Sequence, residues 1–195
     1  MQIKETGLSF GSLNKRPVTS RIIIHHSASE DVAAVEIHQW HKKRGFSGIG
    51  YHYVIRKDGE IERGRPLDTV GAHAGEAGNI DSVGICIAGN FENYVPEAVQ
   101  IEALAKLIGY LNDYYQKTLS LCRHKDISPT ACPGKNFPWA ELQERLTVPE
   151  WQENLMKRAL EKGLISEKHL AEEVAPKWFV LAVGLNILEK IAGKA

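Results

Sequence analysis

Three residues in this chain, His25, His124 and Cys132, are of types that could bind a metal together. His25 ends a run of apolar β-branched residues, and the other two flank a turn-rich stretch of residues 124–134. Two imidazoles and one thiolate are ligands that Zn²⁺ prefers, and three protein ligands leave the fourth tetrahedral position open for chemistry. We therefore predict one zinc ion per chain and a hydrolytic site, provided that the three side chains meet in space. A buried structural zinc would need a fourth ligand, and the sequence offers no convincing one.

The segments around these residues follow one another in a characteristic order, at residues 22–29, 48–55, 71–75, 79–91, 124–126 and 130–134. Together they resemble the type-2 N-acetylmuramoyl-L-alanine amidases. That family includes phage lysins and shares its fold with the animal peptidoglycan recognition proteins. The resemblance extends over about residues 15–147 and implies an α/β fold, with a central mixed β-sheet flanked by helices.

The resemblance also implies a function and a set of site residues. It implies a zinc-dependent amidase that cleaves the bond between the lactyl group of peptidoglycan and L-alanine, as a phage or prophage endolysin. The alternative is a module that binds muropeptide without cutting it, but such relatives typically lack the cysteine ligand that Cys132 would supply. The implied roles are zinc binding by His25, His124 and Cys132, catalysis by Tyr51 beside the metal, and substrate binding by His73, with Asn79 expected to join it.

Two positions depart from the family pattern. Some phage members carry a catalytic lysine where this chain has Thr130, and cell-wall-recycling relatives carry a glutamate where it has Cys86. The identity of the general base is therefore open. Thr130 either orients the water or the carbonyl during catalysis, or is only a turn residue.

Three further polar residues are candidates for supporting the ligands through hydrogen bonds. His26 and His52 directly follow the probable site residues His25 and Tyr51. Because successive side chains in a strand point to opposite faces, we expect these two to point away from the metal, either into the core or toward the ligand residues to support them. Asp126 either accepts a hydrogen bond from a ligand histidine or is simply solvated.

Composition limits the partners and the compartment. Lys plus Arg and Asp plus Glu both number 24, so the chain lacks the basic footprint of a nucleic-acid-binding protein. Three cysteines form no disulfide framework, which favours synthesis in a reducing compartment, although a Cys86–Cys122 pair stays open. The N-terminus does not resemble a signal peptide, and no apolar window is long enough to span a bilayer. We expect synthesis in the host cytoplasm, followed by action on bacterial peptidoglycan after release.

The elements that must position the site are readable from pattern. Arg21–His26 predicts a buried strand with His25 at its carboxyl end, a common ligand position in α/β folds. A capping box at residues 27–30 predicts that a helix starts there, with a core face that includes Trp40, and ends at Gly45. A hairpin around Asp58-Gly59, a strand at 82–88, a long helix opened by Pro96 and a short helix at 139–146 follow. The long helix is predicted to bury one stripe, formed by Ile101, Leu104, Ile108, Leu111 and Tyr115.

From residue 148 the pattern changes to helices alone. We predict a catalytic domain at 1–147 and a C-terminal helical region at 148–195, whose last helix is apolar on most sides. Such a helix must be buried, so the region packs on the catalytic domain, associates with a second copy of itself, grips the cell wall or simply adds core.

Overall fold

The computed structural model describes residues 1–147, 158–163, 184 and 187. Met1–Glu144 form one compact unit, and Arg145–Ala195 form a second, whose described helical residues are 145–146, 158–161, 184 and 187. Most of the predicted C-terminal helices therefore lie outside the described residues, and their roles stay predictions. Within the described part of the chain, no helix has the length and apolarity that a bilayer crossing would require.

A six-stranded mixed sheet forms the centre of the first unit. In chain order its strands are β1 (Ile3–Lys4), β2 (Arg21–His26), β3 (Tyr53–Ile55), β4 (Ile61–Arg63), β5 (Ser82–Ile87) and β6 (Ser120–Arg123). They are arranged β1-β4-β3-β5-β2-β6, and only the β3–β4 pair is antiparallel. This confirms the predicted mixed sheet, the buried strand at residues 21–26 and the hairpin, whose turn has Gly59 at φ +86°. The buried strand β2 is an interior strand, but it lies next to the edge strand β6 rather than at the centre of the sheet.

Strand β2 is buried because neighbours cover both of its edges and both of its faces. Its three consecutive isoleucines, residues 22–24, have no exposed surface, as expected of a parallel strand within an α/β sheet. Its register places His25 opposite Cys86 on β5, and Ile23 opposite Cys122 on β6. The two cysteines are thus two strand spacings apart and offset by two residues along the strands, so their Cα atoms are separated by more than about 9.5 Å. A disulfide needs Cα atoms within about 7 Å, so the Cys86–Cys122 bridge is excluded and all three cysteines are free.

The helices are α1 (Ala34–Lys43), α2 (Gly75–Asn79), α3 (Ala98–Tyr114) and α4 (Trp139–Leu146). The predicted start of the first helix at residues 27–30 is wrong, because the hydroxyl of Ser27 accepts from the backbone N–H of Gly89 and Ala28 has a φ of +54°. The helix begins seven residues later, after Ala33, whose N–H donates to the carboxylate of Glu36.

The faces of α1 and α3 differ in how well the sequence predicted them. In α1 the buried side chains include Ile37, His38 and His41, but Trp40 is 39% exposed, so its assignment to the core face is wrong. In α3 four members of the predicted stripe are buried, Ile101, Leu104, Ile108 and Leu111, whereas the fifth, Tyr115, is half-buried and caps the end of the helix. Pro96 lies just before the capping residue Glu97 rather than inside the first turn.

Candidate active site

Three chain segments bring His25, His124 and Cys132 together at one edge of the sheet. His25 is near the carboxyl end of β2, His124 starts a single 3₁₀ turn directly after β6, and Cys132 follows in the next loop. One ligand atom from each residue lies within 4.8 Å of the others. The Sγ of Cys132 lies 3.8 Å from Nδ1 of His25, and the two imidazole centroids are 4.5 Å apart. The structure thus satisfies the spatial condition on which the zinc prediction depended.

The loop that carries Cys132 is fixed by backbone hydrogen bonds. The N–H of Lys125 donates to the carbonyl of Cys132, and the N–H of His26 donates to its sulfur at 3.4 Å. Gly134 follows with φ +106°, and a Cβ there would lie 2.4 Å from the carbonyl carbon of Phe91. A glycine is therefore required for the loop to pass so close to the chain after β5.

The donor set fits zinc in both chemistry and spacing. Burial lowers the pKa of His25 well below its usual value, with His124 adding to the effect, and burial also lowers the pKa of His124. Both rings are therefore neutral at pH 7, which is the form that donates a lone pair to a metal. Burial raises the pKa of Cys132 to about 11, against the opposing hydrogen bond from His26. Ordinary zinc–ligand lengths imply an N···S separation of about 3.6 Å, close to the separation between His25 and Cys132.

Tyr51 lies beside this trio. Its ring centroid is 5.1 Å from that of His25 and 5.6 Å from that of His41. Burial raises the pKa of Tyr51 well above its usual value. The phenol therefore keeps its proton at neutral pH and is a hydrogen-bond donor next to the ligands.

Thr130 lies on the exposed side of the cysteine loop. Its hydroxyl oxygen accepts from the N–H of Cys132 at 3.3 Å. That bond leaves the hydroxyl hydrogen available to donate elsewhere, and the predicted catalytic role of Thr130 stays a prediction.

The two residues predicted to bind substrate lie close together. His73 is 9% exposed and its ring centroid is 4.9 Å from that of His25. The side-chain oxygen of Asn79 accepts from the N–H groups of His73 and Ala74, both at 2.9 Å, and so holds the loop before α2. Their contact with substrate stays a prediction.

The residues predicted to support the ligands have identifiable partners. His26 accepts from the N–H of Phe91 through Nδ1, and His52 accepts from the N–H of Gly84 through the same atom. Burial, reinforced by the nearby guanidinium of Arg16, lowers the pKa of His52 to about 3.

Asp126, the third of these candidates, accepts from the backbone and guanidinium N–H groups of Arg123. That Asp126 also accepts a hydrogen bond from a ligand histidine stays a prediction.

Sequence reasoning missed two side chains that contact this cluster. His41 accepts from the N–H of Gly50 and packs on the ring of Tyr51, and the hydroxyl of Ser82 lies 3.4 Å from Nε2 of His73. In the sequence, His41 is spaced as a residue on the buried face of α1, and Ser82 is the first residue of an apolar strand. Neither pattern signals a contact with a residue that is distant along the chain.

Comparison with known proteins decides the family. The model of the N-acetylmuramoyl-L-alanine amidase family matches residues 14–135, which is more than half of the chain and includes all three metal-ligand candidates. The chain belongs to this family. The amidase is 39% identical over 144 residues to the endolysin of Klebsiella phage KP32, covering 68% of this chain and 93% of that one.

Solved structures agree with the assignment. The amidase resembles N-acetylmuramoyl-L-alanine amidase LysC from Clostridium intestinale URNW, with a TM-score of 0.72 and 40% identity, covering 76% of this chain and 99% of that one. It also resembles the Drosophila peptidoglycan recognition protein SD, with a TM-score of 0.67 and 27% identity, covering 77% and 96%. These findings confirm the predicted fold and the predicted enzyme, an amidase of the phage endolysin type, over the non-cutting alternative.

Proposed function

We propose that this amidase holds one zinc ion on His25, His124 and Cys132 and hydrolyses the amide between the lactyl group and L-alanine in bacterial peptidoglycan. The observation that carries the proposal is the convergence of two neutral imidazoles and one thiol within 4.8 Å at the carboxyl edge of the sheet. The endolysin relatives support the choice of cell wall as substrate. As with those relatives, the proposed place of action is the wall, after release from the producing cell.

An amide is a poor electrophile, so the site must stabilise the charge that develops on its oxygen. When bound, zinc polarises a carbonyl and lowers the pKa of a water molecule to about 7. The protonated phenol of Tyr51, beside His25, donates a hydrogen bond to the developing oxyanion. One such donor typically contributes about 10²- to 10³-fold to kcat.

Thr130 orients the substrate in this proposal. Its oxygen accepts from the N–H of Cys132, which leaves its hydroxyl hydrogen free to donate to the substrate carbonyl or to the attacking water. Asn79 contributes by keeping the loop at His73 in place, and we propose that this loop borders the bound stem peptide.

The test combines product analysis with metal analysis on purified cell wall. The wild-type protein is expected to release new L-alanine amino termini without new reducing sugar ends, and to contain one zinc per chain. His25→Ala, His124→Ala and Cys132→Ala are each expected to lose zinc and activity together. Cys122→Ala is the matched control, because Cys122 lies on β6 outside the ligand set and should keep both.

Three results would contradict the proposal. New reducing ends would mean that a glycosidic bond is cut instead of an amide. Binding to the wall without any release of amino termini would indicate a recognition module. Stoichiometric zinc that survives in all three alanine variants would place the metal elsewhere.

A further inference from the structure

A chain of hydrogen bonds runs from His25 away from the ligand cluster. Nε2 of His25 lies 2.9 Å from Nδ1 of His73, Nε2 of His73 lies 3.4 Å from the hydroxyl of Ser82, and that hydroxyl lies 2.5 Å from the carbonyl oxygen of Gly78. The chain therefore ends at a backbone carbonyl inside the protein.

The carbonyl of Gly78 determines which group donates and which accepts in each of these hydrogen bonds. A carbonyl oxygen can only accept, so the hydroxyl of Ser82 donates to Gly78, and its oxygen accepts from Nε2–H of His73. A neutral imidazole carries one N–H, so Nδ1 of His73 is an acceptor and receives the N–H from Nε2 of His25. The free lone pair of His25 is therefore on Nδ1.

Nδ1 is also the atom that faces the ligand cluster. It lies 3.8 Å from Sγ of Cys132, whereas Nε2 is turned toward His73. The tautomer that the hydrogen-bond chain selects is thus the one that presents a lone pair to the metal position.

The imidazole of His73 occupies a slot that is shaped to fit it. A Cβ built at Gly71 would lie 2.4 Å from Cδ2 of this ring, and a Cβ built at Gly84 would also lie 2.4 Å from it. Two glycines thus make room for the ring, while the side chain of Asn79 anchors the backbone N–H of His73. The ring is almost fully buried and both of its nitrogens have partners within the protein.

We propose that His73 is a positioning residue that holds His25 in the Nε2–H tautomer and orients its Nδ1 toward the metal. The proposal rests on the zinc site proposed above. It extends that site because it assigns which nitrogen of His25 binds the metal and explains why that nitrogen is free. A hydrogen-bonded partner that fixes the tautomer of a ligand histidine typically changes metal affinity about 10- to 100-fold.

The first test measures zinc affinity by competition with a chelator. His73→Leu removes the acceptor and is expected to weaken zinc binding about 10- to 100-fold. His73→Asn places an amide oxygen near the former Nδ1 and is expected to stay within a few-fold of wild type. His38→Leu is the matched control, since His38 is also a buried histidine, lies outside the site and should leave zinc affinity unchanged.

The second test reads the tautomer directly in the zinc-free protein by ¹⁵N NMR of the histidine rings. Wild-type His25 is expected to carry its proton on Nε2, and His73→Leu is expected to give a mixture of tautomers. Ser82→Ala, a smaller change, should release the ring of His73 and shift His25 part of the way to the mixture. These readouts do not move if His73 only fills space.

The outcomes separate this inference from the zinc proposal. A wild-type protein that binds no zinc refutes the zinc site, and the NMR tautomer still decides whether the hydrogen-bond chain is as described. Wild-type zinc affinity in His73→Leu, or a proton on Nδ1 of His25 in the zinc-free wild type, overturns the role of His73 while leaving the zinc site intact.

Discussion

Replacing Arg16 with methionine is expected to destabilise the catalytic unit by about 3 kcal/mol. Arg16 is 5% exposed, and its guanidinium donates to the hydroxyls of Thr19 and Tyr115 and to the carbonyl oxygens of Leu67, Thr69 and Ser82. It therefore links the segment before β2, the loop that follows β4, the first residue of β5 and the end of α3.

The magnitude follows from the acceptors that methionine would leave unsatisfied. Ser82 has no exposed surface and Thr19 has 7%, so water cannot readily replace the lost donors at these two residues. Each unsatisfied buried acceptor costs about 1–3 kcal/mol, which gives roughly 2–6 kcal/mol for the pair. Methionine avoids the desolvation cost of the buried guanidinium, which offsets part of this loss, so the expected value lies in the lower half of the range.

Urea unfolding of the purified protein measures the effect. With a typical urea slope of about 1–3 kcal/mol per molar, the midpoint of Arg16→Met should fall by roughly 1–3 M. Lys106→Met is the control, because Lys106 forms an exposed pair with Glu102 one helical turn away and should change stability by about 0.5 kcal/mol or less. A loss below about 1 kcal/mol for Arg16→Met would refute the reasoning that these acceptors depend on the guanidinium.

Three further predictions concern the site and its surroundings. Tyr51→Phe should lower kcat about 10²- to 10³-fold with unchanged zinc content, measured by release of amino termini, and a normal kcat would remove the oxyanion role. Because the folded pKa of His52 is about 3 against 6.5 in the unfolded chain, the unfolded state binds the extra proton. Stability should therefore fall as pH drops below 6.5, by about 2 kcal/mol from this residue at pH 5, and His52→Gln should show a shallower dependence in urea unfolding. A thiol reagent should modify the half-buried Cys122 well before the fully buried Cys86, as followed by mass spectrometry, and the reverse order would contradict the strand placement.

The sequence by itself determined those elements whose signals are local. The β-branched run before His25 could only be a buried strand, and the Asp58-Gly59 pair specified a tight hairpin. The stripe of α3 was readable because apolar spacing of three and four residues requires one buried face. The identities of the metal-ligand candidates were likewise available, since ligand type depends on the side chain alone.

Local signals failed where a distant partner competed for the same groups. The hydroxyl of Ser27 was expected to cap a helix, but it bonds Gly89, which is 62 residues away along the chain and adjacent only in the folded sheet. Trp40 followed the helical period yet lies on the exposed side, because the position of α1 on the sheet selected a different face.

The tertiary structure alone decided which atoms meet at the site. His25, His73 and Cys132 come from three separate segments, so neither their distances nor the nitrogen of His25 that faces the sulfur can be deduced from spacing. The direction of the protons from His25 to Gly78 depends on hydrogen bonds between groups far apart in sequence. The residue types are fixed by the sequence. The tautomer of His25, and therefore the nitrogen that faces the metal position, is decided only when the parallel strands place their carboxyl ends side by side.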